Sequence, residues 1–210
     1  MNNVIELLKA HRSIRKFKTD PVAQEIVEEL ILAGQCAATS SFIQACTVLQ
    51  ITDPATREHL CEAAAGQLYV KESPVFLVFC ADMQRHQMAC DMHDAVMLSG
   101  FTEQFLTASI DCALFAQNVL IAAESLGLGG CYIGALRNKI GEVDTLLDLP
   151  DKVYPVFGMC LGYPAQDPEI KPRLPLGVVL KQQRYNNVGD YQLIVDYDEQ
   201  VRRYYRSRTG

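Results

Sequence analysis

The sequence has 210 residues, of which 49% are hydrophobic and 21% are charged. This balance is typical of a globular chain and excludes extensive disorder. Its 25 acidic side chains outnumber the 19 basic ones, for a net charge of −6, which argues against a general nucleic-acid-binding protein. The charge does not exclude a local basic pocket for a phosphorylated cofactor.

Helix and strand signals alternate along the chain. In order, the patterns predict a helix at 2–11, a helix at 20–38, a strand at 47–52, a helix at 53–65, a strand at 74–81, helices at 82–98 and 101–127, a strand at 129–133, a helix at 138–147, strands at 154–161 and 193–195, and a helix at 198–207. Asp20 and Asp53, each followed by proline, are expected to cap helices. This order predicts an α+β or α/β fold with a sheet covered on both faces.

Cysteine usage and apolar stretches indicate a cytoplasmic protein. The eight cysteines contain no C-x-x-C pair, so we expect reduced, buried thiols. The N-terminal apolar stretch contains Glu6 and Lys9, so we do not expect a signal peptide. Residues 105–128 approach membrane-spanning length but include Asp111 and Glu124, which favours the central helix of a globular protein over a membrane span.

Several familiar site motifs are incomplete. Residues 127–132 approach the dinucleotide fingerprint, but Tyr132 occupies its third glycine position, and residues 129–134 have P-loop spacing without the following Lys-Ser/Thr. The G-x-S-x-G nucleophile motif does not occur. His86, Cys90 and His93 have helical metal-ligand spacing without an evident fourth ligand, so we interpret them as a polar helix surface and expect no metal.

The informative stretches are basic or rich in glycine. Arg12 and Arg15 provide guanidinium groups suited to phosphate oxygens, and Lys171 and Arg173 offer two more cations around a proline. Taken separately, each stretch could be a solvated charge run. Glycines in residues 127–134 would let a flat ring approach the backbone, or would simply end a helix. Arginines at 202, 203, 206 and 208 form either a solvated helix face or a site for an adenosine 2′-phosphate.

Taken together, these segments resemble the oxygen-insensitive NADPH nitroreductases of the type A group and the related NADPH–flavin oxidoreductases. The resemblance spans nearly the whole chain. Its most specific parts are His11-Arg12-Ser13-Ile14-Arg15 and Lys171-Pro172-Arg173-Leu174-Pro175. It also includes residues 5–7, 40–44, 66–67, 116–118, 121–130, 132–134 and 161–164.

The resemblance implies an α+β nitroreductase fold, with a central mixed or antiparallel sheet flanked by helices and a long buried central helix. It implies one FMN-binding domain over 1–210, with 163–210 as an extended C-terminal excursion, and a homodimer. The family's C-terminal arm would lie beyond position 210, so we expect it to be absent here. Two positions depart from the family pattern, Thr39 in a serine run and Ala135 in place of a glycine.

The resemblance also implies a set of site residues. FMN would be bound by His11, Arg12, Ser13, Ile14, Arg15, Thr39, Ser40, Ser41, Gln67, Tyr132, Ile133, Gly134, Ala135, Lys171, Pro172 and Arg173, with residues 39–41 contributed partly by the partner subunit. The 2′-phosphate of NADPH would be met by Arg203 and Arg208. No side chain is assigned as catalytic, because hydride chemistry would take place at flavin N5.

The implied activity is two-electron, ping-pong transfer from NADPH through FMN to nitroaromatics, quinones or similar small acceptors. Two alternatives stay open at this point. One is an NADPH–FMN reductase that supplies free reduced flavin. The other is a flavin- or thiol-based redox sensor without turnover, which no C-x-x-C or basic-flanked thiol favours.

Overall fold

The computed structural model describes residues 2–209, with side chains described through residue 207. It contains two compact units, one ending at Asp167 and the other beginning at Pro168. All four strands of the sheet belong to the first unit.

The first unit is built on one antiparallel sheet. Its strands are β1 (Cys46–Gln50), β2 (Val75–Asp82), β3 (Gly129–Ile133) and β4 (Val153–Gly162). They lie in the order β1-β2-β4-β3, and every neighbouring pair is antiparallel. This confirms the α+β prediction and settles the sheet as antiparallel. The predicted limits of β3 agree with the structure, and those of the other three strands differ by one or two residues.

Helices cover both faces of this sheet. They are α1 (Asn3–Lys9), α2 (Gln24–Gln35), α3 (Pro54–Ala63), α4 (Tyr69–Glu72), α5 (Gln84–Met92), α6 (Thr102–Ser125) and α7 (Ile140–Leu146), with 3-10 turns at Ser40–Phe42 and Gly134–Lys139. Asp53 caps α3 as predicted, since its carboxylate accepts a hydrogen bond from the amide of Thr56 at 2.7 Å.

The sheet divides the interior into two hydrophobic clusters because side chains alternate along each strand. On β2, which is buried throughout, Leu77 and Phe79 face one cluster, and Val78 and Cys80 face the other. The first cluster includes residues from α2 and α6, and the second includes residues from α3 and α7. A strand buried on both faces explains the continuous apolar run from which β2 was predicted.

Helix α6 is the long central helix, buried along one face only. By length and composition it is the one described helix that could cross a membrane. However, Ala108, Cys112 and Ala116 pack into the first cluster, so α6 is a core element of the fold. Its opposite face leaves Leu106 and Ile110 about half exposed, at 47% and 54%.

Two helix predictions were wrong in their limits. Helix α2 begins at Gln24 rather than at Asp20, and no side chain caps it. Val22 packs against the first cluster and the Gln24 side chain bonds to Gln50, so tertiary contacts set the start of α2. The helix predicted over 82–98 ends at Met92, and Asp94 follows with a positive φ of 50°.

The second unit contains α8 (Leu176–Val179) and α9 (Asp190–Thr209). The helix predicted at 198–207 begins earlier, at Asp190, and the strand predicted at 193–195 is wrong because this segment belongs to α9. Its less exposed side chains, Leu193, Tyr197, Val201 and Tyr204, recur at helical spacing and override the β-branched pair Ile194-Val195.

Candidate functional site

The basic segment, residues 11–15, runs alongside the sheet rather than projecting into solvent. The amide of Ile14 donates to the carbonyl oxygen of Gly130 on β3 at 2.9 Å. Farther along, the amide of Lys18 donates to the carbonyl oxygen of Tyr163 at 2.8 Å, and Phe17 forms a bridge with Pro164. These bonds attach the segment to the edge strand β3 and to the chain just after β4.

Ile14 anchors the basic segment. Its side chain is 5% exposed and packs on Gly129, where an added Cβ would lie only 2.5 Å from Ile14 Cγ1. The glycine is therefore needed for this close approach. Ile14, predicted as a cofactor contact, directs its side chain into the protein while His11, Arg12, Ser13 and Arg15 stay partly exposed beside it.

His11 is held by the end of the central helix. Its Nδ1 lies 2.5 Å from Glu124 Oε1, and both side chains are largely buried. Helix α6 ends immediately afterwards in a Schellman turn, in which the amide of Gly127 bonds to the carbonyl oxygen of Glu124 and the amide of Leu128 to that of Ala123. Gly127, with φ +78°, is thus the predicted helix-ending glycine and leads directly into β3.

Arg15 and Gln67 meet through a residue that sequence reasoning missed. The hydroxyl of Tyr69 donates to Gln67 Oε1 at 2.8 Å, and the charge of Arg15 acts on the same hydroxyl. Burial raises the pKa of Tyr69, and the neighbouring guanidinium of Arg15 opposes that shift. Arg15 and Gln67, two predicted cofactor residues that are distant in sequence, therefore both lie near Tyr69.

Arg15 also faces a pair of thiols. Cys131 on β3 and Cys160 on β4 are register partners, and the Cys160 thiol donates to the carbonyl oxygen of Tyr69 at 3.2 Å. The pKa of Cys131 is lowered by its interaction with Cys160 and by the charge of Arg15. Burial raises the pKa of Cys160. Both thiols are buried, at 2% and 0% exposure, and belong to the second hydrophobic cluster. They are therefore not an exposed reactive pair.

Residues 132–135 line the outer end of β3. The side chain of Tyr132 is 37% exposed, stacks edge-on to Phe157 and approaches Gln117 Oε1 at 3.4 Å. Burial, followed by the charge of Glu124, raises the pKa of Tyr132. Ile133 is fully buried, so only its backbone is available to a ligand, while Gly134 and Ala135 begin a 3-10 turn.

The hydroxyl-rich residues 39–41 lie at a separate place in the first unit. Ser40 and Ser41 form part of a tight turn, and Phe42 beside them is 80% exposed. A cavity of about 470 Å³ adjoins this turn and is lined also by Arg85, His86 and Asp111. Among the described residues, no hydrogen bond or ion pair joins residues 39–41 to the basic segment.

The remaining predicted residues belong to the second unit. Lys171, Pro172 and Arg173 precede α8, and the carbonyl oxygen of Pro172 lies 3.4 Å from the hydroxyl of Tyr197. Arg203 is exposed on α9. Arg208 also falls within α9, but its side chain lies outside the described residues.

The zinc-like spacing of His86, Cys90 and His93 is not accompanied by a metal-binding arrangement. Helix α5 ends at Met92, so His93 lies beyond its last turn. Among the residues that the structure describes, no group of three or more His, Cys, Asp or Glu is placed to hold a metal ion.

Comparison with known proteins gives a consistent result. Residues 8–163 match the sequence model of the Nitroreductase family, and residues 171–210 match that of the Nitroreductase family, C-terminal domain. The chain is 46% identical to the NADPH-flavin oxidoreductase of Vibrio harveyi over 100% of this chain and 85% of that protein. It is also 46% identical to the oxygen-insensitive NADPH nitroreductase of Salmonella typhimurium, over 99% of this chain and 85% of that protein.

A solved structure supports the same relationship. The NADPH:FMN oxidoreductase from Vibrio harveyi complexed with NAD+ superposes with a TM-score of 0.92 at 44% identity, covering 98% of this chain and 87% of that one. The antiparallel sheet, its partly buried central helix and these matches define an oxidoreductase of α+β type. The chain belongs to the nitroreductase family.

Proposed function

We propose that this protein is an FMN-dependent NADPH oxidoreductase that reduces nitroaromatics, quinones or similar small acceptors. The observation that carries the proposal is the hydrogen bond of Tyr69 to Gln67 beside the charge of Arg15. It brings an amide suited to a flavin edge near a cation suited to phosphate. The names of the relatives, an NADPH-flavin oxidoreductase and an NADPH nitroreductase, agree with this proposal.

The charges of the basic segment fit a phosphate group. Within residues 2–209, no carboxylate forms an ion pair with Arg15, and Arg12 pairs only with Asp167, whose side chain is 84% exposed. A dianionic phosphate can therefore be neutralised here without breaking a buried ion pair. Ser13 supplies a hydroxyl in the same segment.

The outer end of β3 fits a flat ring. Tyr132 covers this end with an aromatic side chain, and Gly134 removes a side chain immediately after it. We place Gln67 at the ring edge and the backbone of residues 132–135 along the ring, with an amide near N5. Ser40 and Ser41 would approach the same ring from the partner subunit.

FMN, when bound, supplies the two-electron chemistry, accepting hydride from NADPH and passing it to the acceptor. The chain orients the flavin and protects it from solvent. His11 and Arg15 would bind the phosphate, Gln67 and the β3 backbone would contact the ring, and Tyr132 would shield the ring from water. NADPH and the acceptor would use the same site in turn, which gives ping-pong kinetics.

The preference for NADPH is assigned to α9. Arg203 and Arg208 would meet the 2′-phosphate, whereas Arg202 is engaged with Asp198 and Glu199. Replacing either Arg203 or Arg208 by alanine should raise KM for NADPH far more than KM for NADH. Arg202→Ala is the matched control and should change neither. Equal effects on both nucleotides would contradict the 2′-phosphate role.

The first experiment is a visible spectrum of the purified protein, followed by anaerobic NADPH. We expect flavin bands that bleach with NADPH and return with a nitrofuran or a quinone. Arg15→Ala should raise the Kd for FMN at least about tenfold, while the neighbouring exposed cation variant Lys16→Ala should stay within about threefold. A colourless protein that neither binds FMN nor oxidises NADPH would refute the proposal.

A second candidate differs only in the acceptor. The name of the Vibrio harveyi relative, NADPH-flavin oxidoreductase, agrees with a reductase that supplies free reduced flavin. Steady-state rates with free FMN, compared with a nitrofuran and a quinone at matched concentrations, separate the two activities. Saturation with free FMN and no turnover of the others would favour this candidate. Steady turnover of any acceptor would exclude the non-turnover sensor.

We further propose a cytoplasmic homodimer. The exposed apolar residues of α6, Leu106, Ile110 and Leu114, form a face suited to a second copy. All eight cysteines are unpaired, which fits a reducing compartment. Sedimentation of the wild type and of Ile110→Glu tests the assembly, because a charge on this face should yield monomers.

A further inference from the structure

The turn formed by residues 40–45 is strained. Ser41, Phe42 and Gln44 have φ values of +48°, +58° and +53°. These are left-handed conformations that residues with a Cβ rarely adopt, and three within four positions are uncommon. A turn of this kind persists only where the surrounding structure holds it.

Asp111 on α6 is placed to hold this turn. Its Oδ1 accepts a hydrogen bond from the amide of Ser40 at 3.0 Å, and its Oδ2 accepts one from the amide of Ala45 at 3.1 Å. The two bonds bracket the strained residues. Asp111 is only 4% exposed, and a buried carboxylate requires such partners. No cation pairs with it among the residues described, so both described bonds of the carboxylate go to the turn.

Two other side chains close the turn from outside. Thr39 Oγ1 accepts a hydrogen bond from the amide of Gln44 at 3.1 Å. Arg85 Nη2 donates to the carbonyl oxygen of Gln44 at 2.9 Å and to that of Cys46 at 2.7 Å. Both lie on partly exposed parts of the chain, whereas Asp111 is anchored in the long helix and is the rigid member of the group.

We propose that Asp111 is a positioning residue for the flavin site, acting by clamping the strained turn that presents Ser40 and Ser41. The inference rests on the proposed function, in which these serines approach FMN. A site element held under backbone strain by a buried partner is preorganised, so no binding energy is spent on ordering it. Asp111 itself touches neither the cofactor nor the reacting atoms.

The test compares Asp111→Asn with Asp82→Asn. Asparagine retains one acceptor oxygen but turns an NH2 group toward the second amide, so one of the two bonds is lost. Asp82 is a matched control because it is 7% exposed and also accepts a backbone hydrogen bond, from the amide of Gln84 at 2.9 Å. Its carboxylate holds α5 and Thr47, not the turn.

We expect Asp111→Asn to speed hydrogen exchange at the amides of Ser40 and Ala45 at least about tenfold in the cofactor-free protein. It should raise the Kd for FMN and the KM for a quinone about fivefold, leaving kcat within about twofold. Asp82→Asn can reach the turn only through Arg85 on α5, so it should change these quantities much less even where it lowers Tm equally. Equal effects from both variants would overturn the proposal, because they would reflect general destabilisation.

Gln44→Pro provides an independent route if Asp111→Asn does not fold. Proline cannot adopt the φ of +53° and lacks the amide that bonds to Thr39, so it breaks the turn while leaving Asp111 in place. It should reproduce the rise in Kd and KM. Unchanged values would overturn the proposal. A wild type that binds no FMN would instead refute the proposed function, and the exchange comparison would still show whether Asp111 holds the turn.

Discussion

His11 Nδ1 and Glu124 Oε1 lie 2.5 Å apart and link the basic segment to the last turn of α6, 113 residues later in the chain. An ionised carboxylate can only accept a hydrogen bond, so Nδ1 carries the hydrogen and Nε2 is the nitrogen left to face a ligand. Glu124 thereby fixes both the orientation of the imidazole and its tautomer.

Glu124→Gln should therefore weaken FMN binding three- to tenfold, or about 0.7–1.4 kcal/mol, by loosening His11. Riboflavin, which lacks the phosphate, should be affected less. Fluorescence titration of the cofactor-free protein with both flavins measures the difference. Glu103→Gln, near the other end of α6 and exposed, is the control. Equal weakening of both flavins would show that Glu124 does not act through the phosphate end.

The exposed side of the basic segment can be tested by a substitution at Asp167. It pairs with Arg12 at 2.5 Å, but with 84% and 36% of the two side chains exposed, solvent screens the pair. Asp167→Asn should change the free energy of unfolding by less than about 0.5 kcal/mol. Because it releases Arg12, it should leave FMN affinity equal or slightly higher. Urea unfolding and FMN titration provide the two values, and a loss of affinity would mean that Asp167 orients Arg12 productively.

Close packing of α2 on α6 depends on Gly34. A Cβ at this position would lie 2.3 Å from Phe115 Cε1 and 2.8 Å from Val119 Cγ2. Gly34→Ala should therefore cost about 1–3 kcal/mol of unfolding free energy through overpacking. Gly141, in α7, has open space around it, so Gly141→Ala should be neutral or stabilising by up to about 1 kcal/mol. Urea unfolding of both variants checks the contrast, which would fail if they shifted stability in the same direction.

Alkaline pH should destabilise the fold through Cys80. Burial raises the pKa of this thiol from 9.0 to about 12. Below pH 9 both folded and unfolded states keep the proton, so the contribution is complete. As pH rises from 9 toward 12, the unfolded state loses the proton first and stability falls, by roughly 2 kcal/mol at pH 10.5.

The contribution of Cys80 can be isolated from those of other groups. Urea unfolding of the wild type and of Cys80→Ala at pH 7.5 and pH 10.5 gives two pH-dependent losses of stability. The loss should be smaller in Cys80→Ala, because alanine has no proton to release. Identical losses would show that the thiol does not titrate differently in the folded and unfolded states.

Features of the fold that depend on local sequence signals could be predicted, whereas features that depend on tertiary contacts could not. The buried strand β2 and the helix-ending Gly127 followed from apolar runs and glycine position, which are local properties. The start of α2 and the helical state of residues 193–195 did not, because packing contacts decided them. At the site, the resemblance supplied Arg15 and Gln67, but Tyr69 and Asp111 remained hidden, since their roles arise from residues distant in sequence.

The distribution of thiols between the surface and the two hydrophobic clusters has a practical consequence. Cys36 is exposed and Cys90 partly exposed, whereas the other six are buried on both sides of the sheet. A thiol-specific reagent should modify the first two in the native protein and reach the rest only when the sheet opens. The chain thus contains its own probe of global unfolding, which mass spectrometry can read residue by residue without an added label.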